Sequence, residues 1–103
     1  MKNKTAWMVA KSELLKAQAE QDAATDENGA FLSGVEYAWR QVVKIRPAWA
    51  DEGPMFADLL RRKSESHVKG SKRHPHPEDA GWFMGAAHGF SEAARLTDLG
   101  LLP

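Results

Sequence analysis

The chain has 103 residues, 43% of them hydrophobic and 27% charged, with a formal net charge of zero. That composition fits one folded domain with a single core and argues against disorder, while the charge balance leaves no global attraction to nucleic acid, anionic membrane or acidic substrate. The absence of cysteine excludes disulfides, thiolate catalysis and thiolate-ligated metals, and suits a reducing compartment.

The amino terminus, Met1-Lys2-Asn3-Lys4-Thr5, is basic, but Glu13 and Lys16 interrupt the residues after it, so no secretory hydrophobic region forms. No stretch approaches the ~18 apolar residues of a membrane span. The expectation is a cytoplasmic protein without membrane contact, a single helical domain over 1–103 with residues 1–4 frayed.

Residues 5–24 are rich in Ala, Leu, Lys, Gln and Glu and contain no Gly or Pro, which predicts a first helix. Trp7, Ala10, Leu14 and Ala17 form one narrow apolar stripe, and Met8, Leu15 and Ala19 form another about a quarter-turn away. Two such stripes suit a helix that touches two surfaces, either within its own chain or on a second copy. Asp22 to Gly29 then breaks the helix with turn and cap residues.

A second helix is predicted over Ala30 to Arg46. Phe31, Leu32, Val35, Ala38, Trp39, Val42, Val43 and Ile45 fill about half of its circumference, and that width predicts the central helix of the fold. Ser33, Glu36, Tyr37, Arg40, Gln41 and Lys44 take the polar half. Pro47 to Gly53 reads as one short turn. A third helix runs from Pro54 to about Ser66, with Met55, Phe56, Leu59 and Leu60 on one side.

The segment Arg61 to Pro77, RRKSESHVKGSKRHPHP, holds six Lys/Arg against one Glu, with three of the four histidines. Gly70, Ser71, Pro75 and Pro77 predict a basic loop over residues 67–77. The last helix, Pro77 to Thr97, opens with proline and the carboxylates Glu78 and Asp79, and Gly100 is its expected left-handed cap. Within it Gly81, Gly85, Gly89 and Ala93 recur at steps of four and form one ridge. Gly34 and Ala38 of the second helix, also four apart, are its expected receivers. No strand pattern and no repeat appears. The fold class is all-α: a small bundle of about four helices with a basic Pro/Gly-containing connector before the last one.

Few residues point to chemistry. The histidines His67, His74, His76 and His88 lack metal-ligand spacing, so no metal and no cofactor is expected. No serine sits in a nucleophile elbow, and the adjacent carboxylates Asp26-Glu27, Asp51-Glu52 and Glu78-Asp79 read as caps and dipole complements. A weaker enzymatic option pairs His88 with Glu92. It requires both on a concave surface, whereas the helical wheel sets them on a polar arc with Met84, Ser91 and Arg95. The chain is therefore read as a non-enzyme with no catalytic residues.

The first functional reading is an interaction protein that self-associates and binds, or inhibits, a protein partner, a role common among small bacterial and phage accessory proteins. Its surface would comprise Trp7, Tyr37, Arg40, Lys44 and Trp49. The alternative is a module for nucleic acid or an anionic nucleotide, with Arg61, Arg62, Lys63, Lys69, Lys72, Arg73, His74 and His76 as the anion-binding set. A merely solvated basic loop is the plain counter-reading. A helix-turn-helix is not expected, because the predicted connector exceeds the turn of about three or four residues which that motif uses.

Overall fold

The structure is a computed structural model that describes residues 12–19, 29–45, 53–74 and 76–99. Among these residues all regular structure is helical, forming a small bundle. Helix α1 covers residues 12–19, α2 Gly29–Ile45, α3 Gly53–Arg73 and α4 Pro77–Asp98. No helix among the described residues is long and apolar enough to cross a membrane. The short turn expected over 47–53 and the Gly100 cap lie largely or wholly outside the described residues.

Helix α4, rather than α2, occupies the middle of the bundle. It packs on both α2 and α3, and those two barely meet. Small residues explain why. Gly81, Gly85 and Gly89 present bare backbone to α2, while Phe83 and Ala87 meet α3. The buried positions of α4 cover about half of its circumference, whereas Met84, His88, Ser91 and Arg95 stay exposed. The broad apolar side of α2 is shared instead: Val35, Ala38 and Val42 join the core with α4, and Ala17 of α1 joins the same cluster.

The expected receiving pair is in place. The position of Gly34 faces the Trp82 carbonyl and the Ala86 amide, and that of Gly89 lies over Ala38 and Val35. Contact positions advance together along the two helices, so α2 and α4 run in the same sense.

Helix α3 is longer than its sequence suggests. It continues through Gly70 and Ser71 to Arg73, so only residues 74–76 separate it from α4. Gly70 is placed there by packing, because its bare backbone receives the Phe83 ring. Ser71 Oγ donates to the Val68 carbonyl at 2.6 Å within the helix. The connection is therefore as short as a helix-turn-helix turn, against expectation. The packing is not of that type, however. Gly70 meets Phe83, Ser64 Oγ donates to the Ala87 carbonyl at 2.9 Å, and Arg61 bonds Asp98. Those pairings run antiparallel, which makes α3 and α4 a helical hairpin.

The turn is closed by local bonds. The His74 amide donates to the Gly70 carbonyl at 3.0 Å, and the Ala80 amide donates to the His76 carbonyl at 2.9 Å. Pro77 takes the first helical position, where its missing N–H costs nothing.

Candidate functional site

Which residues of α3 face outward follows from its contacts. Phe56, Ala57 and Leu60 are fully buried against α4 and the core. The opposite side carries Arg61, Arg62, Glu65, Ser66, Lys69, Lys72 and Arg73, all exposed. At 100° per residue, Arg62, Ser66, Lys69 and Arg73 lie along one stripe roughly 16 Å long, with Lys72 beside it.

These cations differ in how they are occupied. Arg61 donates to Asp58 at 2.9 Å and also bonds Asp98 across the hairpin. Its pKa is raised, chiefly by the hydrogen bond to Asp98, which outweighs the opposing effect of burial, with the charges of Asp98 and Asp58 adding to it. Arg40 is tied to Glu36, and Arg95 to Glu92. By contrast Arg62, Lys69, Lys72 and Arg73 form no ion pair among the described residues, and neither does Glu65 beside them. Lys63 sits at the edge of this face, its ammonium 5.8 Å from the centre of the Phe90 ring.

The comparisons with known proteins give no family to lean on. No family model, no curated protein and no solved structure matches the chain. The chemistry of the site therefore rests on its own geometry.

The remaining anion-set residues split. His74 is exposed but stacks flat on Phe83, with centroids 5.2 Å apart and planes 12° from parallel. His76 is exposed at the start of α4 and makes no side-chain capping bond. Of the residues expected to meet a protein partner, Trp7 and Trp49 lie outside the described residues. Arg40 and Lys44 are exposed on α2. Tyr37 departs from the exposure expected on its polar arc. It is half-buried, with its ring 4.8 Å from that of Trp82, 6.1 Å from His67 and 6.4 Å from Phe90. The wheel placed it correctly around α2 but could not show that Trp82 and His67 close over that side.

A second feature was only partly visible in the sequence. A groove of about 290 Å³ is lined by Glu13, Lys16 and Ala17 of α1, Val35 and Trp39 of α2, and His88 and Glu92 of α4. His88 and Glu92 thus do share a concave surface, contrary to the expectation from the wheel. The chemistry they offer is limited, because Arg95 holds the Glu92 carboxylate through two contacts of 3.1 Å and a third, shorter one. That hydrogen bonding, helped by the charges of Arg95, His88 and Lys16 and opposed by burial, keeps the Glu92 pKa below its ordinary value. A carboxylate stabilised in its charged form is a weak base. Among the described residues no group of three His, Cys, Asp or Glu is placed to hold a metal ion.

Proposed function

We propose that this chain is a small non-enzymatic binding protein whose working surface is the outer face of α3, and that this face takes a phosphate-bearing polyanion such as a nucleic acid. The observation that carries this reading is the occupancy of the cations. Arg62, Lys69, Lys72 and Arg73 share one exposed face without a carboxylate partner among the described residues, while Arg40, Arg61 and Arg95 are each paired. A paired guanidinium must give up its partner before it can hold a phosphate, whereas an unpaired one releases only counterions. The zero net charge of the chain makes this attraction local rather than global.

The test is retention on phosphocellulose with elution by salt, comparing the chain with a variant carrying Arg62→Gln, Lys69→Gln, Lys72→Gln and Arg73→Gln. A control carrying Lys16→Gln, Arg40→Gln, Lys44→Gln and Arg95→Gln has the same net charge. The α3 variant is expected to elute at much lower salt than the control. Equal elution of the two variants would remove α3 as the working surface.

A protein partner, or a second copy of the chain, is the second reading, and exposed apolar side chains favour it. Phe31 lies at the surface beside His88, with ring centroids 5.8 Å apart, and Met84 is 43% exposed on the same helix as His88. Light-scattering mass at low and high salt tests it: a dimer that persists at high salt supports the reading, and a monomer throughout removes self-association.

A further inference from the structure

We infer, building on the polyanion reading above, that the ligand of the α3 face is duplex nucleic acid held by its backbone phosphates without readout of base sequence. Three features of the face separate a duplex from other polyanions.

The first is rigidity. The cations project from a helix, not from a loop, and that helix is fastened to α4 along its basic portion. Ser64 is bonded to Ala87, Gly70 seats Phe83, and His74 covers Phe83 from the far end. His67, whose Nδ1 contacts the Lys63 carbonyl at 2.7 Å, packs its ring among Trp82, Phe83 and Phe90. A fixed array suits a ligand that is itself stiff, since neither partner loses much freedom on binding.

The second is reach. The stripe from Arg62 to Arg73 is roughly 16 Å long, longer than the ~12 Å width of the major groove. Long side chains at its two ends can meet phosphates on both strands at once. A single strand presents one row of phosphates and offers no second row across a groove.

The third is what the face lacks. Along residues 61–73 its exposed residues are Arg, Lys, Glu and Ser, with Met55 and Asp58 exposed just before Arg62, and α3 contains neither Asn nor Gln. The nearby rings of Tyr37, Trp82 and Phe83 are half-buried between helices, away from the outer face. Binding of single strands relies on aromatic platforms for unstacked bases, and adenine readout relies on Asn or Gln. Neither is present on this face, and the stripe's two arginines, the side chains best suited to guanine, stand at its ends, where the phosphate rows lie, so phosphate contact is the chemistry the face favours. Glu78 and Asp79, exposed in the first turn of α4, would repel phosphates near the turn and keep α3 from entering a groove end-on.

The experiment is fluorescence anisotropy of the full chain with labelled duplexes of about 20 base pairs and two unrelated sequences, and with one of their single strands, between roughly 50 and 200 mM salt. Duplex binding is expected to exceed single-strand binding about tenfold, with the two sequences within about threefold of each other. Four phosphate contacts predict a loss of affinity on the order of 100-fold across that salt range. Lys69→Gln should reduce the salt slope by about one without changing the helical circular dichroism. Single-strand binding as tight as duplex binding would overturn the duplex inference, and strong sequence preference would overturn backbone-only contact. Retention on phosphocellulose without binding to either nucleic acid would overturn this inference and leave the polyanion reading intact. Loss of both would end both.

Discussion

Gly85 of α4 lies directly under the Phe31 carbonyl of α2. A methyl group at Gly85 would collide with that oxygen and stand 2.8 Å from the carbonyl carbon, while a methyl at Gly34 would strike the Trp82 carbonyl and come within 2.6 Å of the Ala86 nitrogen. Backbone atoms are the obstacles in both cases, and backbone cannot swing aside. Gly85→Ala and Gly34→Ala are therefore expected to destabilise by about 2–3 kcal/mol, despite gaining about 1 kcal/mol of helix propensity. Gly81 belongs to the same ridge but is open, its nearest neighbour being the Ala30 methyl at 3.5 Å. Gly81→Ala should stabilise by about 0.5–1 kcal/mol. Urea unfolding of the three variants checks this, and equal effects at Gly81 and Gly85 would contradict the crossing.

Gly70 presents a different obstacle. A methyl there would come 2.6 Å from the Phe83 ring, a side chain that can move at some cost to its stacking on His74. Gly70→Ala alone is expected to destabilise by about 1 kcal/mol, the overpacking exceeding the propensity gain. In a Phe83→Ala background the same change should stabilise by about 1 kcal/mol, since only propensity remains. Thermal unfolding of the four proteins gives the coupling directly. Additivity would mean that the ring does not decide where α3 ends.

That pair also shows where the sequence stops being legible. The step of four among Gly81, Gly85 and Gly89 reads as a ridge because each glycine costs helix stability and needs a packing reason. The same logic at Gly70 gives a loop, because its reason is Phe83, 13 residues away, and no local pattern announces it. The prominence of α2 misleads for a related cause. Its apolar width is conspicuous, yet centrality depends on close approach from two sides, which Gly and Ala in α4 allow. Among the candidate site residues, the basic character of 61–73 is plain in the sequence. Which of its cations are already paired is not, since Asp98 reaches Arg61 only through the hairpin.

The Glu92–Arg95 pair predicts the sign of one pH effect. Arg95 holds the Glu92 pKa below its ordinary value in the folded chain, so the unfolded state binds more protons in the interval between the two values. The resulting stability is complete above the unfolded pKa and is lost as pH falls through the folded one. Glu92→Gln should flatten that part of the acid limb when Tm is followed against pH, and should leave the neutral-pH slope unchanged. An unaltered acid limb would show that the bond is not formed in solution.

Tyr37 separates packing from recognition. Its ring lies between Trp82 and His67, while no hydrogen bond to its hydroxyl occurs among the described residues. Truncation removes aromatic burial where α2, α3 and α4 converge, so Tyr37→Ala is expected to cost about 2–3 kcal/mol, somewhat below the cost for a fully buried ring. Tyr37→Phe keeps the ring and should change stability by less than about 0.5 kcal/mol. Binding measurements on the Phe variant then carry the functional information, because its fold is intact. If Tyr37→Phe abolishes association with a partner while Tm stays constant, the hydroxyl is a recognition group and the packing account is incomplete. If it binds normally and only Tyr37→Ala fails, in step with its lowered Tm, Tyr37 serves the bundle and the contact surface lies elsewhere.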